Sequence, residues 1–400
     1  MWAAWAVDTM WGTVGPRIPL VSGSSTVTLN GIDDWTLNVD RSWLDRVQDK
    51  WFTPYMSSVL IAHSCKLLPG WSPVCFGPLT APPTTPDHAV RGTEVAAPQA
   101  TLTGKGMRQM LTKRVMTGGI DYNGGNIDSI SGAVKRFDGY SLGTIQEELV
   151  RYATSRAAGT LPIRYDASLR ENNLPDDDDH SREYDGYNIS NCIIDSLISG
   201  ISATENGPDF MLRPGMDTDG DSWRAYVTAL HGTSQQPQIP QKKMPAWDAT
   251  AARGIFAGYT PTVDATNLTN RAWSVGSGEG AGTLLGVRQN DAQLQEGMPL
   301  LESVASYSSV VVRATLESHA GSRLDRGAAS TVQADVSIRC DDGQGVVGTW
   351  WVGDRVMLTV PDSVELPGGE RVMTIISAKY DVTKEIATVS LQEDHVNGKN

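Results

Sequence analysis

Four hundred residues exceed the usual span of one compact domain, so the length predicts two to four units with separate cores. A formal charge of -13, from 33 basic against 46 acidic residues, excludes a chain that wraps nucleic acid, where Lys and Arg must neutralise phosphates. With 40 % hydrophobic residues, 40 Gly and 21 Pro, the composition favours a turn-rich, mainly β architecture with α+β insertions over long helical bundles.

The amino terminus, MWAAWAVDTMWG, meets Asp8 early and has neither a basic leader nor a sustained apolar stretch, so no secretion signal is expected. No apolar run approaches the ~20 residues that cross a bilayer. TVTLNG and DWTLNVD alternate apolar with polar positions around Asn30-Gly31, the pattern of a β-hairpin. Residues 66–100 are crowded with proline and are expected to be loop or edge strand, because proline gives a ladder no donor. From Gln99 to Val115 an alternating strand feeds a short helix carrying Met107, Met110 and Leu111. The glycine-rich TGGIDYNGGNIDSISG that follows marks a unit boundary.

Thr144 and Glu147 have capping-box spacing ahead of Ile145, Leu149, Tyr152 and Ala153, which predicts an amphipathic helix. A second apolar stripe runs through Ile189, Ile193, Leu197 and Ile201. Between the two, the acidic run Asp176 to Asp179 is expected to be a solvated loop. DFMLRPGMDTDGDSWRAYVTAL predicts a hairpin whose second strand sets Trp223, Ala225, Val227 and Ala229 on one face. The polar, proline-punctuated residues 233–247 suit a linker or exposed strap. Farther on, Ser309 is placed to cap a helix through Val312, Leu316, Ala320 and Leu324, and TVQADVSIR, RVMLTV, ERVMTIISAKYDV and ATVSLQ predict a terminal meander closing into a small antiparallel barrel. These elements divide the chain into a β-rich unit at 1–115, an α+β unit at 116–235, a connecting β and loop unit at 236–305, and a helix-plus-barrel unit at 306–400.

Motifs of catalysis are sparse. The six histidines, His63, His88, His180, His231, His319 and His395, lack HExxH or any i, i+4 pairing, and neither G-x-S-x-G nor a phosphate loop is present. Gly276, Gly278 and Ala281 loosely fit a dinucleotide fingerprint. TLLGV then continues as strand, however, where a pyrophosphate site needs a helix N-terminus, and Glu279 repels phosphate. Asp217, Asp219 and Asp221 around Gly220 resemble a calcium loop without its sixth glycine or twelfth glutamate, so a tight turn is expected. Cys65, Cys75, Cys192 and Cys340 lack metal-site spacing and are read as reduced, mostly buried thiols. Cys65 and Cys75 are near enough to face each other across a loop, but spacing does not show bridge geometry. No catalytic, cofactor-binding or metal-binding residue is assigned, and no cofactor is expected. The twelve tryptophans suit large inter-subunit contacts.

The order of several segments carries a resemblance from about residue 70 to the end. WSPVCFGPLT, ATLTGKGMRQMLTKRV, YSLGTIQEELVRYA, GPDFMLRP, SVGSGEGAG with GMPLLES, and GTWWVGDRVMLTV with RVMTIISAKYD resemble the minor tail proteins of siphophages that infect actinobacteria. These are related to the tail hub proteins of other long-tailed phages. The Trp-rich first seventy residues depart from that pattern.

The resemblance implies a non-enzymatic baseplate hub at the tip of a non-contractile tail. It implies a homotrimer whose N- and C-terminal barrel-like domains alternate around an axis and meet a sixfold tube. Its implied partners are the distal tail protein, the tape measure protein and receptor-binding components, with DNA passing through the lumen. Assembly is expected in the host cytoplasm, and part of the -13 charge is expected to line the passage. The alternatives are a wall- or carbohydrate-degrading tail enzyme, which needs a cleft of convergent titratable groups, and a receptor-binding module, which displays exposed aromatics.

Overall fold

The computed structural model describes all residues except 48–50, 85–98, 119–121, 124–125, 128–133, 175–179, 205, 220–221, 252–253, 309, 365 and 395–400. The first segment contributes β1 (Trp2–Asp8), β2 (Val14–Ile18), β3 (Leu20–Thr28), β4 (Asp34–Asp40), α1 (Arg41–Val47), β5 (Ser57–His63), β6 (Ser72–Pro78) and β7 (Gln99–Lys105). Four of these strands form an antiparallel sheet in the order β2-β1-β5-β6, which leaves proline-bearing β6 at an edge. β5 is buried along its whole length. Its sheet is covered on both faces: Val59 and Ile61 enter one apolar cluster, while Leu60 enters another. A strand so placed needs a continuous apolar run rather than alternation.

The middle segment adds β8 (Tyr122–Asn123), β9 (Asn126–Ile127), β10 (Val134–Tyr140), α2 (Leu142–Ser155), β11 (Ile163–Tyr165), β12 (His180–Asp185), α3 (Ile194–Ser202), β13 (Phe210–Asp219) and β14 (Ser222–His231). Ile145 and Leu149 of α2, Ile198 and Ile201 of α3, and Ala225, Val227 and Ala229 of β14 close over Leu60 and Phe76 as the second core. Three expectations shift here. Ser141 caps α2, its Oγ accepting from the Thr144 amide at 3.3 Å, while Glu147 turns inward instead of back to the cap. The buried stripe of α3 is Ile194, Ile198 and Ile201, because residues Gly186–Asn191 form a 3₁₀ segment that leaves Ile189 exposed and ends before α3 begins. Trp223 stands 44 % exposed beyond the apolar row of β14. The acidic run at 176–179, the turn at Gly220 and Asp221 and the cap at Ser309 lie outside the described residues.

The remainder comprises β15 (Ala246–Asp248), β16 (Phe256–Asp264), β17 (Arg271–Val275), β18 (Leu285–Gln289), α4 (Asp291–Gln295), β19 (Glu302–Ser306), α5 (Arg313–Gly327), β20 (Thr331–Arg339), β21 (Arg355–Val360), β22 (Gly369–Asp381) and β23 (Ile386–Glu393). The last strands are not a simple meander, since β20 adds beside β23. β22 is 13 residues long and irregular between Ile375 and Ser377. Before that point it pairs β21, and after it pairs β3, so β3, β4 and β7 extend the sheet of the C-terminal strands. The order is β16-β20-β23-β22-β3-β4-β7, with β21 and β15 branching from β22. Among the described residues this ladder ends at β16 and β7 and does not close on itself. Its inner face buries Trp35, Leu37, Trp247, Trp350 and Val389 in one core, so many of the tryptophans serve packing.

The polar strap at 233–247 is docked, not free: Ile239 is buried, and the Gln241 amide bonds both the N–H and the carbonyl of Arg355. Asp264 pairs with Thr331, so residues 265–330 are an insertion within the β16–β20 hairpin. There β17 lies between antiparallel β18 and parallel β19. α5 packs on β17 and β18 rather than on the strands that follow it. Gly286 permits this, since a Cβ there would meet the Leu316 backbone at 2.6 Å. No helix among the described residues is long and apolar enough to cross a membrane.

Candidate assembly surface

Alternation in the large sheet sends apolar side chains to the core and short polar ones to the opposite face. Cross-strand registers align these into rows, such as Thr260–Asp335–Ser390–Ser377–Thr28 and Asp381–Ser24–Thr36–Thr103. Neighbours bond within the face: Ser390 donates to Asp335 at 2.6 Å, and Asn38 joins Ser22 to Thr101 at 2.8 Å on each side. The result is a broad carpet of hydroxyls and amides interspersed with Asp, Lys and Arg. Across β20, β23, β22 and β3 it forms the wall of a 770 Å³ cleft shared with Asp209 and Arg326, and Arg326 also borders a 630 Å³ cleft beneath the insertion.

Three polar clamps hold the chain together, the first of them at this face. Asn30, the turn residue of the β3–β4 hairpin, adopts φ 56°. Its side-chain amide donates to Asp209 and its Oδ1 accepts from the Phe210 amide, both at 2.7 Å, tying hairpin to middle unit. Burial pushes the Asp209 carboxyl up, and the Asn30 bond opposes that shift. Arg108 donates to Asp195 at 2.6 Å and to Ser199 at 2.8 Å, anchoring α3. Glu147, fully buried, receives Arg151 at 2.7 Å and Arg170 at 2.9 Å, with His231 Nε2 at 3.5 Å. Burial alone would raise its carboxyl, but His231, Arg151 and Arg170 outweigh it and hold the group at about 2. Sequence reading assigned Glu147 to a helix cap; the i, i+4 spacing to Arg151 was the available signal of its other partner.

Among the described residues the groups weighed as chemical sites are not brought together; His88, His395 and the side chain of His180 lie outside them. His231 is sealed beside Glu147, His63 is buried against Glu385, and His319 stacks on Tyr307 at a centroid distance of 4.2 Å. Gly276, Gly278 and Ala281 lie in the turn between β17 and β18, which contains a three-residue 3₁₀ segment and no helix amino terminus of use to a phosphate. Asp217 pairs with Arg164 at 2.6 Å. Cys65 and Cys75 are unbridged thiols: Cys75 points into the large core from β6 while Cys65 sits in a loop. Among the described residues no three His, Cys, Asp or Glu side chains converge as a metal site.

No protein-family model and no curated protein sequence matches the chain. Solved structures do. A 43 kDa tail protein of prophage MuSo2 from Shewanella oneidensis superposes with a TM-score of 0.54 at 9 % identity, covering 97 % of this chain and 98 % of that one. A tail protein from Neisseria meningitidis also gives 0.54, at 12 % identity, covering 99 % and 97 %. The chain shares the fold of these two tail proteins. The likeness extends over the full described architecture, insertion included, and not over one module alone.

Proposed function

We propose that the protein is a structural, non-enzymatic subunit of a phage tail, and specifically a baseplate hub at the tip of a long non-contractile tail of the type carried by siphophages of actinobacteria. The observation that carries this reading is the end-to-end likeness to tail proteins of nearly equal length. In this reading three copies form a ring. The ring joins the tail tube, through the distal tail protein, to receptor-binding components and surrounds the end of the tape measure protein.

The hydroxyl face of the large sheet suits the wall of a passage for DNA. Asp34, Asp40, Asp264, Asp335 and Asp381 stand there against Lys105, Arg339 and Lys379, so acids outnumber bases, the face does not neutralise phosphates, and it gives DNA little to adhere to. Assembly would occur in the host cytoplasm before incorporation at the tip of the virion. Native mass measurement of the purified chain, together with cryo-electron microscopy of intact tails, tests the reading. A trimer, and density for the chain at the tail tip, are expected. A monomer at assembly concentration that is missing from virions overturns it.

A further inference from the structure

α5 covers one face of the three-stranded sheet of the insertion. Ala272 and Ser274 of β17 point under the helix and are buried, whereas Arg271, Trp273 and Val275 point the other way and are half-buried. Register aligns two rows on this open face. Val287, Trp273 and Val304 form one, and Gln289, Arg271 and Glu302 form the next. Val304 is 64 % exposed.

The polar row is already organised. Arg271 Nε donates to Gln289 Oε1 at 2.5 Å, Arg271 donates to Glu302 Oε1 at 3.3 Å, and the Trp273 indole N–H donates to the same Oε1 at 2.8 Å. The indole plane is therefore tethered by its own polar handle beside a line of amide, guanidinium and carboxylate. The Trp273 bond and the Arg271 charge hold the Glu302 carboxyl below the usual range, so it is an ionised acceptor at neutral pH.

Size decides which occupant fits. Three strands of five residues, at about 3.3 Å per residue and about 4.8 Å between strands, present roughly 240 Å². A stable protein partner needs about 800 Å² per side. A sugar ring needs far less: its C–H face lies on an aromatic plane while its rim hydroxyls exchange hydrogen bonds with planar polar groups. Arg271 and Glu302 nearly cancel each other's charge, which favours an uncharged ligand.

We propose that this face is a saccharide-binding platform for a neutral glycan, with Trp273 as the stacking plane and Gln289, Arg271 and Glu302 as the hydroxyl-reading row. It is independent of the hub reading, which virion mass and location test separately.

Saturation-transfer difference NMR on the full chain, with cellobiose, lactose and maltose as probes, tests it. Transfer to ring C–H protons of at least one sugar is expected, reduced at least tenfold by Trp273→Ala and several-fold by Glu302→Gln. Trp223→Ala, at an exposed tryptophan elsewhere, should leave the signal unchanged. Should Trp273→Ala disturb the insertion's fold, Val304→Lys places a charged stem beside the indole on an exposed strand and must also abolish transfer. No transfer to any of the three sugars, or equal transfer in the Trp273 and Val304 variants, overturns the proposal.

Discussion

The nine-stranded sheet and the three-stranded sheet inserted into it solve the same problem differently. In the large sheet most strands bury an apolar side in one core and show solvent a face of Thr, Ser, Asn and Gln interspersed with charged residues. In the small sheet α5 covers one face with Leu316 and Ala320, while the other shows Trp273, Val287 and Val304. Apolar residues of the first kind are explained by stability. Those of the second are not, and an organised polar row beside them points toward recognition.

The largest effect that would sharpen this contrast is expected at Trp350, which is 1 % exposed and meets Trp247 edge to face at 5.7 Å. Trp350→Ala should cost about 3–5 kcal/mol and lower the denaturant midpoint of the whole large sheet. A loss confined to a local segment would show that the two ends of the chain do not fold as one sheet.

Next comes Glu147. Glu147→Gln leaves Arg151 and Arg170 facing a neutral amide and should cost about 3 kcal/mol at pH 7. The carboxyl is held at about 2 in the fold against an ordinary 4.5, so its contribution is present above 4.5 and is lost as pH falls from 4.5 through 2. Urea unfolding of both forms at pH 7 and pH 3 should therefore show the gap between them shrinking in acid. A gap that is constant or grows in acid contradicts the clamp.

A smaller and local effect is expected at Gly286. A methyl group there would press on the α5 backbone at 2.6 Å. Gly286→Ala should loosen α5 by about 1–3 kcal/mol, read as faster amide exchange within 313–327 while β20 to β23 keep their protection. Smaller still is Asn30→Gly, which keeps the left-handed turn but loses the bonds to Asp209 and Phe210. About 1 kcal/mol is expected from thermal or denaturant unfolding.

Local pattern made much of the fold legible. The β3–β4 hairpin around Asn30, the helix after Ser141, the β13–β14 hairpin and the four terminal strands all follow from periodicity and turn residues, which act over a few positions. Partnership between distant strands was not legible. Nothing in the residues of β22 announces that its first half pairs β21 and its second half β3, because either pairing satisfies the same alternation. The fully buried β5 lacked a period to read, and α3 was misphased because a 3₁₀ segment precedes it. Glu147 fits a capping box as well as a buried clamp, and only the fold brings Arg170 and His231 to it. The Trp273 row was hidden for a similar reason: Gln289, Arg271 and Glu302 are 31 residues apart at the extremes and become neighbours only through register.

The smallest expected effect separates the two sheets most directly. Val304 is 64 % exposed on β19, an edge strand, so its methyl groups bury little and Thr fits the same branched rotamer in a strand. Val304→Thr should leave stability within about 0.5 kcal/mol of the native chain. Thermal unfolding checks this. A drop of 2 kcal/mol or more would mean that Val304 is packed against something, most simply another copy of the chain, and the open face of the insertion would then be an interface whose apolar row is accounted for by burial after all.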